Sequence, residues 1–186
     1  MTDDLLGAVE THLVAALGEV EGRAAVTFVG TERVEVLRFA GPGVVRYATL
    51  GMSRHPMTDP TEVAPDVHAG PRAELVLTLS VARDDVFRHL AVLAMAPFVE
   101  GVVVRAGASL DLTEPLWVGA GFGAVLVGEP GGLVPDHLGV QFFPLLPMTA
   151  AEAAWKRVHG AAALEERWLA AGTDLRDPAR PAVALS

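Results

Sequence analysis

The sequence predicts a single α+β domain, a mostly antiparallel sheet with helices packed on it. Three observations predict it. The hydrophobic period is helical at both ends of the chain and alternating in between, with one helical interruption. The alternating runs are separated by glycine-containing turns. The chain of 186 residues is 51% hydrophobic and 20% charged, the balance of a packed globule.

Taken in order, residues 3–20 form an amphipathic helix, with Leu5, Leu6, Val9, Leu13, Leu17 and Val20 on one stripe. Thr2 or Asp3 caps its start, and Gly18 and Gly22 bracket its end. Segments 24–29, 33–39 and 44–50 then alternate and make a β-meander. Residues 51–72 carry Pro56, Pro60, Pro65 and Pro71 with few apolar side chains, which predicts a long, exposed irregular loop. Segment 73–81 is a fourth strand. Asp84 caps a helix that reaches about Met95 and is ended by Pro97. Segments 102–105, 122–128 and 138–145 are further strand candidates. Thr149 with Glu152 makes a capping box, and the helix it opens is interrupted at Gly160. The domain spans 1–172, and residues 173–186, with Pro178 and Pro181, form a loose C-terminal tail.

Composition excludes several function classes. There is no cysteine, so disulfides, thiolate catalysis and thiolate metal sites are absent. The net charge is −9, and the basic residues stand singly rather than in a stripe, which argues against nucleic acid as a partner. Such a charge keeps a protein soluble, and it also steers a basic protein partner. The N-terminus opens with acids where a signal peptide needs positive charge, and Pro97, Glu100 and Arg105 interrupt the most apolar stretch. The expectation is a cytoplasmic protein that does not enter a membrane.

No catalytic or cofactor constellation emerges. The glycines of VGAGFGAV (118–125) alternate and lead into an apolar run, so they predict a bulged or close-packed strand rather than a dinucleotide fingerprint. His12, His89, His137 and His159 have no second ligand at helical spacing, and each reads as a surface or hydrogen-bonded histidine. The loop gathers His55, Asp59, Glu62, Asp66 and His68, a set from which two imidazoles and a carboxylate are one way to hold a divalent ion. Their spacing matches no ligand frame, so neither metal nor cofactor is expected. Ser53, Ser80 and Ser109 lack a nucleophile elbow.

The segment RYATLGMS (46–53) resembles the strand-to-loop motif of suppressor-of-fused domains: an aromatic, an alternating run, then Gly-x-Ser opening a long loop. The resemblance continues in order through RAELVLTL (72–79), the helix at 84–95 with its Pro97–Gly101 exit, VQFFPLLPMT (140–149), the Thr-x-x-Glu helix with Trp155, and DPARP (177–181). It implies an α+β domain and a binding activity. The animal member embraces a short extended peptide of a transcription factor, and bacterial members resemble immunity proteins that neutralise a toxin domain of polymorphic toxin systems. At 186 residues the chain has no room for the second domain that closes over that peptide, so the resemblance nominates only positions on the matched motif: Tyr47, Thr49, Gly51 and Ser53.

Each nominee also has a packing role available. Tyr47 suits a half-buried strand, Gly51 a turn with positive φ, and Thr49 and Ser53 local backbone bonds. An interface further needs an apolar anchor ringed by polar groups, which Tyr47 supplies together with the flexible Met52 and Met57 and the loop acids Asp59 and Asp66. The reading is therefore a non-enzymatic protein-binding domain, with an immunity protein as its specific form. A metal-dependent hydrolase using residues 55–68 is the alternative, and a subunit that only oligomerises is a third. The oligomeric state and the partner's identity stay open.

Overall fold

The computed structural model describes residues 2–28, 33–59, 61 and 69–186. Helix α1 (Thr2–Leu17) ends earlier than expected, because Gly18 takes φ 99° and its N–H closes on the Val14 carbonyl at 2.9 Å. Val20, placed on the helix by its period, instead begins a strand.

Seven strands form one sheet: β1 (Val20–Thr27), β2 (Arg33–Gly41), β3 (Val44–Leu50), β4 (Arg72–Leu79), β5 (Ser109–Asp111), β6 (Phe122–Val127) and β7 (Val140–Thr149). Their order is β1-β2-β3-β4-β7-β6-β5. Every pairing is antiparallel except β4 with β7, the parallel seam at the centre. Reaching that seam requires a crossover, and α2 (Asp85–Val99) lies on it. A single 3-10 turn, Met52–Arg54, follows β3. Helices α3 (Ala150–His159) and α4 (Ala161–Ala170) close the chain's regular structure.

Alternation along the strands makes two core faces. Val34, Val36, Tyr47, Leu75 and Leu77 pack with Val86, Leu90 and Ala94 of α2. Leu37, Phe39, Ala48, Val76 and Phe142 pack with Val9, Leu13 and Leu17 of α1. A third cluster joins Leu126 and Met148 to Leu164 and Trp168. No helix among the described residues is long and apolar enough to cross a membrane.

Four expectations are corrected. Residues 102–105 are not a strand, although Val104 is buried, and the strand on that edge is the shorter β5. Helix α2 runs through Pro97 to Val99, because a proline in the last turn forfeits one bond, and Glu100 N–H still reaches the Ala96 carbonyl at 2.9 Å. Residues 54–71 are not exposed throughout: Pro56 and Met57 are buried at the loop's start, and Met57 N–H bonds the Pro71 carbonyl at 2.8 Å. The C-terminal segment 173–186 is irregular but not loose, since Arg180 inserts into the domain at 7% exposure.

Strand β7 tolerates two prolines because each turns its missing N–H toward a gap. The Pro144 carbonyl accepts from Gly128 N–H at 2.8 Å, on the side where β6 has already ended at the Val127–Leu145 pair. The Pro147 carbonyl accepts from Arg180 Nη2 at 2.6 Å, beyond the last β4 pair at Leu145. The glycine run resolves as a bulge: register shifts between Phe122 and Ala124, skipping Gly123. It is not a close-packed site, because a Cβ on Gly121 or Gly123 would meet nothing within 4 Å.

Candidate binding site: the Glu74 clamp and the groove beside it

Strand β4 is apolar and buried, with a carboxylate in its middle. Glu74 is fully buried, and four donors converge on it. Its Oε1 accepts from Gly51 N–H (2.9 Å), Ser53 N–H (3.0 Å) and Ser53 O–H (2.6 Å). Its Oε2 accepts from Thr49 O–H at 2.6 Å, and Thr49 Oγ1 accepts in turn from Leu75 N–H at 2.8 Å. Burial pushes the Glu74 pKa up, against the pull of Ser53, Thr49 and the two N–H groups.

Arg72, two residues earlier on the same strand, holds the other pole of the turn. Its Nη1 donates to the carbonyls of Ser53 at 2.7 Å and Arg54 at 2.6 Å. An acid and a base with period-2 spacing project to one side of a strand, so β4 grips the amides and the carbonyls of the 51–54 turn at once. Gly51 has φ 129°, and a Cβ there would stand 3.1 Å from the Arg33 carbonyl oxygen, so the grip requires glycine.

The nominated residues therefore fall into place unevenly. Thr49, Gly51 and Ser53 are the ligands of Glu74 and lie inside the protein. Tyr47 is also interior: its hydroxyl donates to the Arg83 carbonyl at 3.0 Å and accepts from Arg83 N–H at 2.7 Å, and its ring meets Phe87 edge-on. It fastens β3 to the start of α2. Met57 is buried, with Sδ 3.4 Å from Val104 N. In this conformation these five offer a partner almost no surface. Asp59 does, being partly exposed; its carboxylate accepts from Thr61 N–H at 2.9 Å and Thr61 O–H at 2.6 Å, and lies 3.5 Å from Arg105 Nη2. Those bonds from Thr61, with the Arg105 charge, hold the Asp59 pKa below its usual value. Asp66 lies outside the described residues, as do Glu62 and His68.

Beyond the clamped turn lies a groove of about 450 Å³. It is lined by Met57–Asp59 and Ala69–Pro71, by Val103–Ala106, by Glu129, and by Gln141 and Phe143 of β7. The volume lies within the range of ligand clefts. Among the described residues, no group of three or more His, Asp or Glu side chains is placed to hold a metal ion.

Sequence reasoning missed Glu74 and Arg72. The signal was present: a lone acid in an apolar strand is costly unless donors meet it, and Gly-x-Ser at the end of the neighbouring strand presents them.

The fold has known relatives. The family described as Suppressor of fused protein (SUFU) matches residues 30–181. A suppressor-of-fused homologue from Neisseria gonorrhoeae FA 1090 superposes with TM-score 0.75 at 17% identity, covering 98% of each chain. A chain of the Sufu–Fu complex crystal structure gives 0.69 at 13% identity, over 96% of this chain and 91% of that one. Drosophila Suppressor of Fused gives 0.68 at 13% identity, and there 96% of this chain matches 50% of the other. No curated protein matches. The chain belongs to the suppressor of fused family.

Proposed function

We propose that this chain is a non-enzymatic protein-binding domain of the cytoplasm, and that its partner docks in the groove beside the Glu74 clamp. The observation that carries the reading is the groove itself, whose lining mixes Val103, Val104 and Phe143 with Asp59, Arg105 and Glu129. A mixture of apolar and charged side chains on one concave surface is the composition of a non-obligate protein interface. Family membership supports the binding role, as does the solved complex of a relative with Fu. The specific form is an immunity protein, whose partner is a toxin domain with a basic contact surface. The net charge of −9 favours such a partner through steering.

The test pairs Asp59→Lys with Asp66→Lys. Affinity for a toxin domain taken as the partner, measured by calorimetry, should fall roughly tenfold or more at low salt, and the loss should shrink at moderate salt as screening sets in. The melting temperature should move little, because Asp59 is partly exposed and surface substitutions usually stay within about 0.5 kcal/mol. Unchanged affinity with an unchanged melt would move the interface elsewhere, to the C-terminal helices around Trp155 and Trp168 in the first instance.

A further inference from the structure

The sheet ends in β1 on one side and β5 on the other. Strand β5 is three residues long, but β1 is eight. The hairpin at Pro42-Gly43 determines which main-chain groups β1 leaves open. Its two-residue loop makes Gly41 and Val44 a hydrogen-bonded pair, so the odd positions of β2 bond to β3. The Arg33 carbonyl agrees, since its oxygen stands 3.1 Å from where a Cβ on Gly51 would be, on the β3 side. The even positions Arg38, Val36 and Val34 therefore bond to Gly22, Ala24 and Val26 of β1. That leaves the N–H and C=O of Arg23, Ala25 and Thr27 pointing away from the sheet.

An open edge of this kind is a template for another strand unless something guards it. The register shift between Val20 and Gly22 guards the start of β1. From Arg23 to Thr27 the ladder is regular and holds neither proline nor lysine, and Arg23, Ala25 and Thr27 are exposed.

We propose that this edge pairs with the same edge of a second copy of the chain, antiparallel about a two-fold axis at Ala25. Ala25 then faces its own counterpart, Arg23 faces Thr27, and Ala24 faces Val26. Each of the three outward residues offers one donor and one acceptor, and in this register every one meets its complement. No charge faces a like charge: Arg23 lies opposite a threonine, and its guanidinium is held by Glu10 and Glu35. On the other face Ala24 and Val26 meet, and they extend the apolar row of Val36 and Val34. The neighbouring registers are worse. An axis at Arg23 sets two guanidiniums opposite each other, and an axis at Ala24 sets Thr27 against Glu21 at the bulge. None of the residues that line the groove lies on β1, so dimerisation and the filling of the groove are separable.

Sedimentation of the full chain tests this. From about 1 μM to about 1 mM it should pass from monomer to dimer, the weak end of specific association. Ala25→Pro removes an outward N–H and no bond to β2, so it should fold and weaken the dimer more than tenfold. Should it fail to fold, Ala25→Glu sets two carboxylates face to face at an exposed position and serves the same purpose. The chain has no cysteine, so Ala25→Cys reports the register. Its paired Cα atoms stand about 5.5 Å apart, and mild oxidation should link the dimer through a disulfide. A wild type that stays monomeric throughout, a folded edge variant that still dimerises as well, or an Ala25→Cys dimer that does not link overturns the proposal.

Discussion

Replacing Arg180 with Met should cost about 3–5 kcal/mol of folding stability in urea denaturation, the usual penalty for orphaning one member of a buried ion pair. Arg180 and Glu152 form that pair, 3% and 0% exposed, with Nη1 2.8 Å from Oε1 and Nη2 2.9 Å from Oε2. The guanidinium also stacks over Phe122 and Trp168, at 5.0 and 5.5 Å from the ring centroids. Glu152 accepts further bonds from Trp168 Nε1 (3.1 Å), Val183 N–H (2.9 Å) and Thr149 N–H (2.8 Å). Burial raises the Glu152 pKa, but the Arg180 bond and these donors outweigh it, and the net effect is a pKa lowered from 4.5 to about 2. The folded value lies below the unfolded one, so the stabilisation is complete above about pH 4.5 and is lost as pH falls toward 2. Glu152→Gln should remove this acid-limb dependence. Glu152→Gln with Arg180→Met should recover part of the Arg180→Met loss, because no charge then remains buried.

Glu74→Ala should be more damaging still. It strips the acceptor from two buried N–H groups and two hydroxyls at once, each worth about 1–3 kcal/mol when left unpaired, and adds a cavity. A loss of about 4 kcal/mol or more is expected, read from the denaturation midpoint or from failure to fold. Glu74→Gln keeps the shape and one carbonyl acceptor, so its cost should be about 1–2 kcal/mol. The pH signature separates this carboxyl from Glu152. Burial raises the Glu74 pKa above its unfolded value, so its favourable contribution is full below about 4.5 and declines as pH rises toward the folded value. Wild type should therefore lose ground relative to Glu74→Gln as pH rises through that window. A stability difference that is flat with pH would mean that Glu74 titrates at its ordinary value.

Much of the fold was legible because period and turn chemistry agree locally. The meander at β1–β3 shows alternation in Val34, Val36 and Tyr47 with glycine turns, and these became one core face. The Thr149–Glu152 capping box formed with both of its bonds. What failed to show in the sequence depends on distant partners. Val102–Arg105 has the composition of a strand, but its Val104 N–H donates to Met57 Sδ and the segment joins no ladder. Strand β5 is only three residues long, too short for a period. The C-terminal segment looked loose because Arg180 stands between Pro178 and Pro181, and its partner Glu152 is 28 residues away.

The candidate site was legible in the same partial way. Thr49, Gly51 and Ser53 were singled out as a motif, and they do act together, but on Glu74 inside the protein. A side chain's direction depends on the pleat and on which strand neighbours it, and Gly-x-Ser alone states neither. Asp59 and Met57 sit on the same few residues of chain, yet one is partly exposed and the other buried.

The central claim, that a protein partner occupies the groove, is tested most directly by a footprint of the complex. Hydrogen exchange of the chain with and without its bound protein partner should show added protection at 57–59, 69–71, 103–106 and 129–130, the segments that line the groove. Protection confined to α3 and α4, or to the exposed edge of β1, with those four segments unchanged, would contradict it.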